Sequence, residues 1–277
     1  MRIRATVAAL SGTLALSALV VPAAQAADGP SSAPRLAAKA AQAVQGENAG
    51  DTKITKVSVN AGKDIVVGTT NKVQFTVAVT ATDPSGVARG SAFLYHGTLD
   101  AADGLLTPDD YDGTCKVVNA TTSTCTVTIV ADPVPDLYND LAGSGWKVYA
   151  AAGANDDDST SVEAYKSDAR LQRYARLTTN ASPEPIKKGK TLTVTGALTR
   201  ANWDTLKYAG YTKQSVKLQY KKKGAASYST LKTITSDSKG NLKTTVTASA
   251  DGYYRYVFAG TSTTPAVTST ADFVDVN

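Results

Sequence analysis

Apolar and polar residues alternate with a period of two along most of the chain, the pattern of strands with one buried and one wet face. In KVQFTVAVT, Val73, Phe75, Val77 and Val79 alternate with Lys72, Gln74, Thr76 and Thr80. Similar runs predict strands at 54–59, 73–81, 90–95, 114–118, 122–130, 146–151 and 162–174 in the first half. A second set is predicted at 175–180, 191–199, 215–222, 228–235, 241–248, 253–260 and 268–276. Asp237-Ser238-Lys239-Gly240 reads as a turn, so 230–235 and 242–246 are expected to pair as a hairpin. Short strands at even spacing predict all-β sandwiches. After Asp251-Gly252, Tyr253 or Tyr254 is either a tyrosine corner of a penultimate strand or an ordinary aromatic strand residue.

The N-terminal segment breaks this pattern. Arg2 and Arg4 precede an apolar stretch from Ala5 to Val21, and Ala24-Gln25-Ala26 supplies small residues for cleavage. Residues 1–26 therefore read as a signal peptide, and the expected product is a secreted, extracellular chain without a transmembrane anchor. Residues 27–50 read as a flexible leader: Ala-rich Leu36 to Val44 favours a helix, but Gly- and Pro-containing flanks surround it. The remainder divides into two sandwiches of ordinary size, 51–173 and 174–277.

Export changes the reading of Cys115 and Cys125, the chain's two cysteines. In an oxidising compartment they favour a disulfide. A turn centred on Ala120 sets them opposite one another across a hairpin. The ten-residue separation is structural in character, since a catalytic dithiol favours CxxC spacing near a helix start.

Four stretches carry a resemblance: NASPEPIKKGKTLTVTG, SVKLQYKKKG, DSKGNLKTTVTASADGYYRY and FAGTSTTPAVTSTADFVDV. Together they resemble the C-terminal module of a family of exported actinobacterial proteins with two immunoglobulin-like domains. FLYHG and the Cys115 hairpin are similar to that family's N-terminal module. The resemblance implies two tandem immunoglobulin-like β-sandwiches; members carry labels such as uncharacterised secreted or calcium-binding protein. It brings no functional residues with it.

Charge separates the halves. Residues 27–173 hold 12 Lys plus Arg against 18 Asp plus Glu, whereas 174–277 hold 15 against 6. The first is net acidic and the second net basic, an asymmetry suited to orientation on a charged surface or to attraction between the halves. In the acidic half, Asp100, Asp103, Asp109, Asp110 and Asp112 fall in an expected loop of about 18 residues between strands. Asn155, Asp156, Asp157 and Asp158 fall in a turn. Calcium takes six to eight oxygens, and such loops offer them; adjacent aspartates are equally compatible with a solvated turn. Asp110-x-Asp112-Gly113 is only a fragment of an EF-hand loop, without its third acidic position and closing Glu.

His96 is the one histidine, so neither a zinc ligand set nor a Ser-His-Asp arrangement is indicated. Carboxylate pairs of the glycosidase type are compatible with the composition, but Glu occurs only at 47, 163 and 184, and the reading is a non-enzymatic protein. In the basic half, Lys187, Lys188 and Lys190 form one cluster and Lys221, Lys222 and Lys223 another. They read either as guards of strand edges or as contacts for cell-wall polyanions, without base readout of nucleic acid. Trp203, Tyr208 and Tyr211 lie in an expected long loop, RANWDTLKYAGYTK. They read either as a sugar-stacking platform for an extracellular glycan or as packing over a sandwich end.

Overall fold

The computed structural model describes residues 33–44, 48–166 and 169–277. The expected signal peptide, 1–26, lies outside the described residues, as do 27–32 and 45–47 of the leader.

The rest of the leader corrects one expectation. Ala33–Val44 form a helix, α1, that docks on the first sandwich rather than serving as a flexible tether. Ala37, Ala40 and Ala41 are buried against Phe93, Tyr95, Ala102, Tyr149 and Ala151. Their i, i+3, i+4 spacing puts three methyl groups on one helical face, letting the backbone approach a sheet whose outer aromatics need cover. The cohesion of that second apolar layer outweighs the Gly- and Pro-containing flanks.

The first sandwich comprises β1 (Lys53–Val59), β2 (Ile65–Val67), β3 (Val73–Thr82), β4 (Val87–Thr98), β5 (Ala101–Leu106), β6 (Thr114–Asn119), β7 (Thr122–Ala131), β8 (Trp146–Ala154), β9 (Ser159–Lys166) and β10 (Leu171–Arg173). One sheet has the order β1-β3-β7-β6 and the other β5-β4-β8-β9, while β10 runs parallel to β2. With the strands lettered in chain order these sheets are A-B-E-D and C′-C-F-G, the arrangement of an immunoglobulin domain. Phe75, Val77 and Val79 face the core from β3, as the alternation predicts. Cys115 and Cys125 lie opposite each other in the β6–β7 ladder and form the expected disulfide.

The second sandwich comprises β11 (Ala175–Leu177), β12 (Asn180–Ser182), β13 (Thr191–Asn202), β14 (Lys207–Gly210), β15 (Ser215–Lys222), β16 (Ser229–Thr235), β17 (Asn241–Thr247), β18 (Gly252–Phe258), β19 (Val267–Thr268) and β20 (Asp272–Val274). β13 pairs with β11, β12, β14 and β17; in the facing sheet the order is β16-β15-β18, with β19 and β20 both on β18. The result is an A-B-E sheet over C′-C-F-G. The expected hairpin between 230–235 and 242–246 does not form: β16 pairs with β15, and β17 pairs with β13 in the opposite sheet. Asp237 still organises the turn, accepting hydrogen bonds from the Lys239 and Asn241 amides at 2.8 Å, but the turn carries the chain between sheets.

Tyr253 and Tyr254 are ordinary aromatic strand residues rather than a tyrosine corner, and the chain before β18 is bonded by a tyrosine of the neighbouring strand. Tyr220, on β15, donates its hydroxyl to the carbonyls of Ala250 and Asp251 at 2.9 and 3.1 Å. Tyr254 points into the core, where burial pushes its hydroxyl up to about 12, and Tyr253 packs its ring against Phe273 on the outer face.

Between the sandwiches, β13 and β14 extend as a hairpin into the first module. Ala201 and Trp203 belong to the first module's hydrophobic cluster, with Tyr208 packed beside them. The Trp203 amide donates to Asn139 Oδ1 at 3.0 Å, and Asn139 donates its own amide to Asp204 at 3.0 Å. Arg173 is buried at this junction, its Nε donating to the Ala201 carbonyl at 2.6 Å; desolvation and the neighbouring Arg200 lower its pKa to about 10.

Candidate functional site

The first acidic segment does not converge. Residues 101–106, expected in a loop, form β5 on the edge of β4. There Asp103 pairs with His96, Oδ1 to Nδ1, at 2.6 Å. Asp109, Asp110 and Asp112 are exposed in the following turn, where Asp110 Oδ1 accepts the Asp112 amide at 3.0 Å. That geometry is a local turn that satisfies its own backbone. It leaves the carboxylates facing water beside the disulfide hairpin.

The second acidic segment does take part in a convergence, with partners distant in sequence. Oxygens of Asp51, Asp83 and Asp158 all lie within 4.8 Å of one another, and among the described residues no other set of three His, Cys, Asp or Glu side chains does so. Asp51 precedes β1, Asp83 opens the β3–β4 turn, and Asp158 closes the β8–β9 turn. Asp156 contributes indirectly: its Oδ1 accepts the Asp158 amide at 3.4 Å. Asp157 occupies the turn tip at a positive φ of 70° and is exposed.

Asp83 is the fixed member. It is 2% exposed, with Oδ1 accepting the Ser85 amide at 2.8 Å and the Ser85 hydroxyl at 2.6 Å, and Oδ2 accepting the Thr52 hydroxyl at 2.7 Å. The Ser85 hydroxyl, followed by that of Thr52, holds its pKa below the usual carboxylate range. The group is therefore an anion at neutral pH despite its burial. Asp158 Oδ2 accepts the Asp51 amide at 3.0 Å. Gly50, at φ 78°, makes this approach possible, because a Cβ there would collide with the Asp158 carboxylate. Asn155 ties the two turns together, donating Nδ2 to the Ser85 carbonyl at 2.8 Å and its amide to Gly86 at 3.0 Å. Three carboxylates are thus held together by backbone geometry, an oxygen-rich arrangement of the kind a hard divalent cation binds.

In the second module, Lys187, Lys188 and Lys190 are exposed on the β12–β13 turn. Lys221, Lys222 and Lys223 lie at the end of β15, and both clusters occupy the sandwich end near residues 248–251. The expected sugar platform is corrected: Trp203 is 2% exposed inside the first module and offers no ring face to a ligand. Tyr208 lies beneath Arg176, 3.5 Å from its centroid, while Tyr211 meets Phe258 edge-on and lies beneath Arg200 at 4.0 Å. Trp203 and Tyr208 serve the domain junction, whereas Tyr211 packs on the second module's own core.

No family model matches the chain, and no curated protein matches it. Among solved structures, part of a marsupial T cell receptor aligns at a TM-score of 0.38 and 14% identity, covering 80% of this chain and 72% of that one. Fibronectin(III)-like modules of Clostridium thermocellum CbhA align at 0.31 and 10% identity, covering 80% and 93%. Latent PorU from Porphyromonas gingivalis aligns at 0.29 and 12% identity over 83% of this chain, which spans 20% of that chain's length. The fold assignment rests on the strand order of each sandwich.

Proposed function

We propose that this is an exported, non-enzymatic protein of two joined sandwiches that binds calcium where Asp51, Asp83 and Asp158 meet. The observation that carries the reading is the convergence of three carboxylates from separate segments within 4.8 Å. Calcium is favoured over zinc because every side-chain donor in the set is a hard oxygen. It is favoured over magnesium because an irregular set of turns suits a variable coordination sphere better than a strict octahedron. Further oxygens would come from backbone carbonyls or water. The ion would fix the start of β1 to the β3–β4 and β8–β9 turns.

A thermal melt of the exported form tests the reading. Millimolar calcium is expected to raise the first module's transition relative to excess EDTA by several degrees, the effect of about 2.7 kcal/mol at a hundredfold excess over the dissociation constant. Magnesium is expected to do much less. Equal melts in calcium and EDTA would remove calcium binding from the account.

A further inference from the structure

The solvent face of the β16-β15-β18 sheet carries a patch that the domain junction and the candidate calcium site leave unexplained. Alternation on β18 sends Tyr254, Tyr256 and Phe258 into the core and leaves Tyr253 and Arg255 half-buried outside. Lys221 stands opposite Tyr253, and Tyr253 opposite Phe273 on β20. Tyr228, just before β16, completes a row about three strand steps, roughly 14 Å, across.

Cations are held over these rings. Arg255 lies 3.6 Å from the Tyr228 centroid and donates Nε to Gln219 Oε1 at 2.9 Å. Lys221 Nζ lies 5.1 Å from the Tyr228 ring and 5.3 Å from the Tyr253 ring, and Lys223 Nζ lies 5.5 Å from Phe273. Two carboxylates stand at this rim: Asp251, which pairs with Lys223 at 3.4 Å, and Asp275 beside it. The module as a whole holds 15 Lys plus Arg against 6 Asp plus Glu.

We propose that this face binds an acidic polysaccharide, a site independent of calcium. The rings and Gln219 position the cations before any ligand arrives, which reduces the ordering cost of binding. The patch is long and shallow, a shape for a linear chain rather than for an enclosed small molecule. Repeated anionic groups match Arg255, Lys221 and Lys223 in sequence along the row. Tyr253 and Phe273, with centroids 5.1 Å apart and planes at 53°, form an apolar floor beneath Lys221 and Lys223. Nucleic acid fits less well, because base stacking needs free ring faces and Arg255 covers that of Tyr228.

The test is binding of the full exported chain, in EDTA, to polygalacturonate, heparin, neutral dextran and single-stranded oligothymidylate. Binding to polygalacturonate, heparin or both, weakened by salt, with none to dextran, is the expected result; which of the two binds separates carboxylate from sulfate recognition. The triple variant Lys221→Ala, Lys223→Ala, Arg255→Ala is expected to bind about tenfold more weakly or worse with its melt retained. Replacing Lys187, Lys188 and Lys190 by Ala is expected to have a small effect. Tyr228→Ala, which frees Arg255 without removing charge, is expected to weaken binding as well. No binding to either acidic glycan, an equal loss in both lysine-cluster variants, or tighter binding to oligothymidylate would overturn the proposal.

Discussion

Trp203, carried by the second sandwich, donates its indole N–H to the carbonyl oxygen of Gly68 in the first, 2.9 Å away. The ring is buried among first-module side chains, so the two sandwiches share part of one core. Trp203→Ala should cost about 3–5 kcal/mol, the range for large-to-small core changes, and uncouple unfolding of the two modules. Calorimetry is expected to show the modules melting further apart in the variant than in the parent; unchanged transitions would mean that the indole carries little of the coupling.

The docked helix makes a separate prediction. Ala37 is fully buried against the outer sheet face, so Ala37→Gln should force a polar side chain into a space shaped for a methyl group. Limited proteolysis is expected to cut within the helix, Ala33–Val44, much faster in the variant. The first sandwich's melt should fall as well, since undocking bares Phe93, Tyr95 and Tyr149, while the second sandwich's should change little.

Reduction of Cys115–Cys125 should be tolerated. The bond closes a ten-residue loop within a β6–β7 ladder that is already paired, so the loss should be at most roughly 3 kcal/mol, confined to the first module. Melts of the Cys115→Ser, Cys125→Ser variant check this. A shift in the second module's transition would contradict it.

Acid should weaken the chain through Asp64. Its Oδ2 accepts Arg170 Nη2 at 2.6 Å, and its Oδ1 accepts the Arg170 amide and Nε, both at 3.0 Å. Those bonds hold the Asp64 pKa below its unfolded value. The unfolded chain therefore takes up a proton first as pH falls, and the contribution, complete at neutral pH, is lost below about pH 4. Both partners are partly exposed, so the amount is about 1 kcal/mol or less. Asp64→Asn should flatten this part of the pH–stability curve.

The strands most legible in the sequence were those whose local pattern and tertiary role agree. Ser215–Lys222 and the β3 alternation are of this kind, as is the Cys115 hairpin. β5 was hidden because Ala101-Ala102-Asp103-Gly104 has weak strand propensity, and pairing with β4 supplies what the sequence lacks. The Asp237 turn misled because the same local hydrogen bonds close a hairpin or carry a chain between sheets. For the candidate site, Asp158 lay in a visible acidic run, whereas Asp51 and Asp83 are isolated in sequence. The turn Asp83-Pro84-Ser85-Gly86 was a signal that Asp83 would organise backbone. Its meeting with Asp51 and Asp158 follows only from the sandwich topology.

Calcium binding at the convergent carboxylates is tested most directly by calorimetric titration of calcium into the chain from residue 27 and into its Asp51→Asn, Asp158→Asn variant, which leaves Asp83 and its turn intact. Saturable binding at about one ion per chain is expected from the convergent site. In the variant that binding should be lost or weakened by more than about tenfold, with the folded state retained. No binding by the parent chain, or equal affinity in the variant, would contradict it.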